Sequence, residues 1–211
     1  ENNISNAFAN NNNSAGVEQK IFSFDHIFNC NATQQNVYDD MNVNNLIEQS
    51  VQGYNATVFA YGHTGSGKTH TVVGDLSDNS NSNNINEGII PRAVKGIFAA
   101  LEEKKQQQQE EGIKNTNTEE KNDDVFNVKC TYVQIYNESV YDLLSADFRT
   151  QSQQFTNDKA LKLRWSHEHG FFLENIYEVT ISSYEDFHRF FKKATLNRVF
   201  ASNQLNINSS R

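Results

Sequence analysis

The chain is poor in the residues that mark several large protein classes. Cysteine occurs twice, at Cys30 and Cys130, with no CxxC or Cys/His ligand spacing. That excludes a disulfide scaffold and a thiolate zinc site, and the expectation is buried free thiols in a reducing compartment. No apolar run approaches the roughly 18 residues of a membrane-crossing helix, and no secretory leader is visible at the start. Positive charge is in deficit, with 18 Lys and Arg against 26 Asp and Glu, a formal net charge of -8. This argues against a general nucleic-acid binder. Half the excess is local, because residues 102–124 hold 8 acids and 4 bases. The rest is balanced enough to carry a basic patch. Proline occurs once and glycine only ten times in 211 residues, so a cluster of glycines is informative.

What is plentiful is aromatic and polar. Phe occurs 15 times and Tyr 8 times, enough to build a core in a chain that is 36% hydrophobic. The Asn-, Gln- and Glu-rich tracts at 1–20, 75–87 and 102–124 bury too little apolar surface to offset chain entropy. The opening tract reads as a disordered or loop segment, 75–87 as a polar loop, and 102–124 as a disordered insert. Between them, IFSFDHIF (21–28) reads as a strand, and Thr33 caps a helix carrying Val37, Met41, Val43, Ile47 and Val51 as far as Gly53. ATVFAY (56–61) has the continuous apolar character of a strand buried on both faces of a parallel sheet. GIIPRAVKGIFAALEE (88–103) is helical, with Pro91 tolerated in its first turn. VFNVKCTYVQIY (125–136) is a strand, NESVYDLL (137–144) a turn and short helix, and LKLRW with FFLENIYEVTI (161–181) a hairpin. A helix follows over 182–201, with a Ser N-cap and Phe187, Phe190, Phe191, Ala194 and Leu196 on or near one face. Strands alternating with helices imply an α/β layered fold with a mostly parallel central sheet flanked by helices.

The glycines converge on FAYGHTGSGKTHTVVG (59–74). Gly62-x4-Gly67-Lys68-Thr69 matches the P-loop pattern of nucleotide-binding proteins. Glycines let the backbone turn its N–H groups onto one anion. Lys68 is placed to neutralise phosphate, and the Thr69 hydroxyl to ligate Mg²⁺. A second element, Asn206-x-x-Ser209-Ser210-Arg211, offers hydroxyls and a charge that could sense a nucleotide. Taken alone such a stretch is an ordinary loop. His167 and His169 would share a face of the hairpin, but two imidazoles make a poor structural metal site, and a polar turn is the simpler reading.

FAYGHTGSGKTHT, GIIPR (88–92), YVQIYNESVYDLL (132–144) and NRxxAxN…NxxSSR (197–211), in this order, together resemble the kinesin motor domain. The likeness covers nearly all of 21–211, the central part of a head from about its third strand to switch I. It implies a P-loop NTPase fold that binds ATP or ADP with Mg²⁺. Gly62, His63, Thr64, Gly65, Ser66, Gly67, Lys68 and Thr69 would form the P-loop, and His70 would pack against the adenine. Asn206, Ser209, Ser210 and Arg211 would be switch I, with Ser209 joining Thr69 at Mg²⁺. Lys68, Asn206, Ser209, Ser210 and Arg211 would carry the catalysis.

The resemblance also implies a microtubule partner. Tubulin is acidic, so Lys159, Lys162 and Arg164, on or beside the hairpin, are candidate contacts; the alternative is a solvated charged face. The implied setting is the cytoplasm and cytoskeleton, on microtubules, of a spindle or cilium among others, with a parent joined as a dimer through a stalk. The departures are His63 where the family has Gln, a long 102–124 insert, no Arg-x-Arg-Pro strand before residue 21, and no D-x-x-G switch II after Arg211. The expectation is therefore an incomplete head, an ATPase as a whole parent and close to inactive alone. A kinesin-like structural protein that binds microtubules without hydrolysis is the alternative.

Overall fold

The computed structural model describes residues 5–7, 21–76, 84–114, 126–145 and 159–208, with backbone alone for 5–7, 109–114 and 199–208. Residues 77–83 of the polar loop, 115–124 of the insert, and Ser209, Ser210 and Arg211 lie outside the described residues. Contacts divide the chain into two compact units, residues 1–104 and 105–211.

In the first unit, β1 (Ser5–Ala7) pairs antiparallel with β2 (Phe22–Phe24). The opening tract, expected as loop or disorder, thus contributes a short strand. Helix α1 (Gln34–Asp40) begins where the sequence signals it. The Thr33 hydroxyl accepts the Asn36 N–H at 3.1 Å, and the Asn36 side chain accepts the Thr33 N–H at 3.0 Å, a closed capping box. The single helix expected from here to Gly53 is instead two. Asn42 adopts φ 52°, a left-handed conformation that Asn tolerates better than most residues, and α2 (Val43–Val51) restarts after it. With α4 (Ile89–Lys114) these helices enclose a core of Tyr38, Val43, Ile47 and Ile89. Helix α4 runs into the tract expected to be disordered, as far as Lys114. Gln, Glu and Lys are good helix formers, so a polar tract continues a helix already begun by Ile89 and Ile97.

The segment 54–61 departs furthest from expectation. It forms no ladder with any described residue, and Tyr54, Phe59 and Tyr61 are 66%, 81% and 91% exposed. A strand buried on both faces needs neighbours on two edges and two faces. The described strands spend their hydrogen bonds on other pairs, all antiparallel and two-stranded.

In the second unit, the 125–136 strand divides into β3 (Val128–Cys130), paired with β8 (Val179–Ile181), and β4 (Val133–Tyr136), paired with β5 (Ser139–Asp142). The short helix expected over 137–144 is thus a strand. Asn137 and Glu138 take φ 46° and 62°, the two positive values of a tight hairpin turn that matches strand twist. The predicted 161–181 hairpin forms only in part: β6 (Lys162–Ser166) pairs with β7 (Gly170–Glu174), while Val179–Ile181 leaves it as β8 to pair with β3. Helix α5 (Tyr184–Asn208) starts with the Ser183 hydroxyl accepting the Asp186 N–H at 3.1 Å. Phe187, Phe191 and Ala194, at helical spacing, are buried, and the two rings stack 4.9 Å apart. Leu196, expected on or near that face, is 51% exposed.

Asp142 closes the β4–β5 hairpin. Its buried carboxylate accepts N–H groups from Leu144 at 2.8 Å, Ser145 at 3.2 Å and Tyr177 at 2.7 Å. Leu143, fully buried, gives its carbonyl to the Asn197 side chain of α5 at 2.7 Å. Cys130 is half-buried, but Cys30 is exposed, against the expectation of two buried thiols.

Candidate functional site

The phosphate loop occupies 62–67 and feeds α3 (Lys68–Val72). Three of its glycines adopt positive φ: 155° at Gly62, 82° at Gly65 and 93° at Gly67, the N-cap of α3. These conformations are strained for any residue with a Cβ. A Cβ on Gly62 would also stand 2.5 Å from the Ser66 hydroxyl oxygen. The Ser66 N–H bonds back to the His63 carbonyl at 3.2 Å, so the loop folds on itself into a turn.

Lys68 reaches back over that turn. Its ammonium donates to the carbonyls of Gly62 at 2.6 Å and His63 at 2.7 Å. The positive charge therefore lies across the mouth of the loop and not out in solvent. Helix α3 has only five residues and no buried side chain, so its dipole adds little. The groups chemically suited to an anion are the loop N–H groups and Lys68. The residues present thus fit a bound phosphate: glycines in the required conformations, a cradle that a Cβ would spoil, and a lysine arched over it. Thr69, next on the helix, carries the hydroxyl type that suits Mg²⁺.

Two connections place α3. Gln34, in the first turn of α1 and only 8% exposed, donates its side-chain amide to the His70 carbonyl at 2.6 Å. The same nitrogen lies 3.2 Å from His70 Nδ1. On the other side Gly74 bridges Glu87, and Asp75 donates to the Asn86 carbonyl at 2.9 Å. The two ends of the polar loop therefore meet directly behind the helix. Arg92 of GIIPR holds the returning end. Its guanidinium donates to the carbonyls of Glu87 and Ile85, each at 2.9 Å, and to the Gln35 side chain. Buried Glu87 also pairs with Lys95 at 2.7 Å.

The structure brings Gly62 to His70 together in one site. Asn206 falls in the last turn of α5, where only the backbone is described. Among the tubulin-contact candidates, Lys162 is exposed, Lys159 is partly buried, and Arg164 is committed to Glu174 at 3.1 Å across the hairpin. His167 and His169 lie in the hairpin turn. Gln34 and Arg92 had no functional signal of their own in the sequence. Gln34 is an ordinary first-turn polar residue, and Arg92 was legible only as part of a motif.

Among the described residues no helix is long and apolar enough to cross a membrane. The family model of the kinesin motor domain matches residues 1–211. Kinesin-like protein KIN-12E of Arabidopsis thaliana is 32% identical over 196 residues, covering 93% of this chain and 14% of that protein. Kinesin-like protein KIF15-B of Xenopus laevis is 32% identical over 195 residues, 92% of this chain and 12% of its own length. Kinesin-like protein bimC of Emericella nidulans is 36% identical over 143 residues, covering 68% of this chain and 10% of its own. A solved structure of a fast kinesin superposes with a TM-score of 0.65 at 25% identity, over 89% of this chain and 44% of that one. The chain therefore spans a small part of these relatives and under half of the solved head. With an α/β fold and a family match along its whole length, it belongs to the kinesin motor domain family.

Proposed function

We propose that this chain is the nucleotide-binding part of an ATP-driven microtubule motor. The observation that supports it best is the loop at 62–69. Three glycines there hold positive φ, and Lys68 arches over the turn, in a chain of the kinesin family. The loop N–H groups hold the phosphates of ATP or ADP, and Lys68 exchanges its carbonyl partners for phosphate oxygens. The Thr69 hydroxyl, with Ser209, would hold Mg²⁺, which would supply charge neutralisation to phosphoryl transfer. Asn206, Ser210 and Arg211 complete the element that answers to the terminal phosphate. His63 and Thr64 shape the loop, since the His63 ring nitrogen Nδ1 lies 2.7 Å from the Thr64 carbonyl. Such positioning accounts for most of the catalytic effect in phosphoryl transfer.

Motion follows only if the nucleotide binds one arrangement of the head more tightly than another. The microtubule is the partner that reads the difference. Lys162, with Lys159 and Arg164 beside it, offers the positive charge for an acidic tubulin surface. Arg164 contributes less than its sequence position suggests, because Glu174 already neutralises it. The setting is the cytoplasmic cytoskeleton.

Phosphate release with and without microtubules tests the reading, on this chain and on a longer piece of the same protein extended at both ends. Stimulated turnover by the longer piece and near-silence of this chain are expected. Microtubule binding without turnover by the longer piece would establish the structural, non-hydrolysing alternative instead.

A further inference from the structure

We propose that Gln34 is a positioning residue for His70: it fixes that imidazole with its proton on Nε2, so that the ring presents an N–H donor beside the phosphate loop. The His70 carbonyl lies 2.6 Å from Gln34 Nε2. A carbonyl can only accept, so the nitrogen end of the Gln34 amide must face it. That settles the amide orientation. The same nitrogen carries a second proton, and His70 Nδ1 lies 3.2 Å away. A donor facing Nδ1 makes Nδ1 an acceptor, and a neutral imidazole that accepts at one nitrogen donates at the other.

Gln34 is well built for this task. It is 8% exposed, and it sits in the first turn of α1, directly after the closed capping box of Thr33 and Asn36. The His70 ring itself is exposed and stands two residues beyond Lys68. Its free edge is thus a fixed donor on the helix that leaves the phosphate cradle. The group it suits is a lone-pair acceptor on the nucleoside part of a nucleotide whose phosphates occupy the loop. This last step rests on the nucleotide-binding reading above; the assignment of the proton does not.

The test is nitrogen NMR on the full chain labelled with ¹⁵N-histidine, correlating the ring nitrogens with the ring carbon-bound protons. His70 is assigned by its loss in His70→Asn. In the unaltered chain His70 is expected with Nε2 pyrrole-like and Nδ1 pyridine-like, and the reverse pattern overturns the proposal without any variant. Gln34→Glu replaces the donor with an acceptor of nearly the same shape, so the proton is expected to move to Nδ1. Gln34→Leu removes the constraint, and the two patterns should average. An unchanged His70 spectrum in both variants overturns the proposal. A fluorescent ADP analogue supplies the second arm. Loss of one hydrogen bond predicts affinity weaker by about three- to tenfold in Gln34→Glu. A reversed proton with unchanged affinity overturns the ligand-facing half. No binding by the unaltered chain overturns the nucleotide reading and that half with it, while the nitrogen spectrum still decides the role of Gln34.

Discussion

Replacing Asp142 by Ala removes the acceptor of three backbone N–H groups at once: Leu144, Ser145 and Tyr177. The carboxylate is 6% exposed, so water cannot readily take its place. The bond from Leu144 is buried and those from Ser145 and Tyr177 are partly so, and a donor left unpaired in a buried place costs about 1–3 kcal/mol. The three are neighbours and relax together, so their sum is smaller than three independent losses, at roughly 3–5 kcal/mol. Against a typical domain stability of about 5–15 kcal/mol, that is a large share. Asp142→Asn separates the parts. Its oxygen still serves Leu144 and Ser145, while its NH₂ faces the Tyr177 N–H, so only one donor is orphaned and the cost falls to about 1–3 kcal/mol. Urea denaturation followed by tryptophan fluorescence reads both, since Trp165 belongs to the same unit. With a slope of about 1–3 kcal/mol per molar urea, Asp142→Ala shifts the midpoint by one molar or more. A shift well below that, or an Asn variant as damaged as the Ala variant, would refute the three-donor account.

Four further outcomes follow from the same structure. Lys68→Ala should weaken binding of a fluorescent ADP analogue by about 10- to 150-fold, the equivalent of one charge-assisted bond, and unchanged affinity would remove Lys68 from the phosphate site. Gly88→Ala places a Cβ 2.6 Å from the backbone carbons of Val72 and Val73, and should cost about 1–3 kcal/mol in thermal or urea unfolding. Burial pushes the Cys130 thiol up, so iodoacetamide should label exposed Cys30 first by peptide mass spectrometry, with Cys130 catching up only in alkali. Burial, then the nearby Asp39 carboxylate, raises the Tyr38 hydroxyl above its ordinary 10.0. Its contribution to stability is therefore complete below that pH and lost as pH rises through the folded value. Urea midpoints should fall in strong alkali, and less steeply in Tyr38→Phe, which also lacks the 2.8 Å bond to Asn44.

The elements read correctly from sequence share a local cause. Thr33 and Ser183 cap helices through side chains three residues from their partners, and the tight turn at 62–67 is written in glycines that take positive φ. The β6–β7 hairpin turns through His167, Glu168 and His169, with its pairs in register across five residues. The failures needed information from elsewhere in the chain. The 137–144 stretch has helix-compatible spacing, but Asn137 and Glu138 turn the chain so that Ser139–Asp142 meets Val133–Tyr136. Asn42 divides a helix because it can take a left-handed conformation, which its polar character alone does not announce. The apolar run at 56–61 announces a need for burial, and nothing in the run names the surface that meets it. In the candidate site, Lys68 and the glycines stand out in the sequence because they follow a recognisable motif. Gln34 does not, because its role exists only when α1 is folded beside α3.

That contrast also explains how the site is held. Helix α3 has no buried residue, so hydrophobic packing of its own face does not position it. What fixes it is polar and directional. Gln34 takes its His70 carbonyl from one side, and on the other the chain crosses itself between Gly74 and Gly88. Val73, immediately after the helix and 4% exposed, is the one apolar anchor there. Hydrophobic contact tolerates sliding, whereas a 2.6 Å hydrogen bond and a backbone crossing too tight for a Cβ do not. A loop whose task is to present several N–H groups to one anion gains more from such constraints than from further apolar burial. Arg92, donating to Ile85, Glu87 and Gln35, ties the returning strand of the crossing to the same helix α1 that carries Gln34. The first turn of α1 is therefore the common support of both sides of the phosphate loop helix, and disturbance at Gln34 or Gln35 should reach the loop without touching any residue in it.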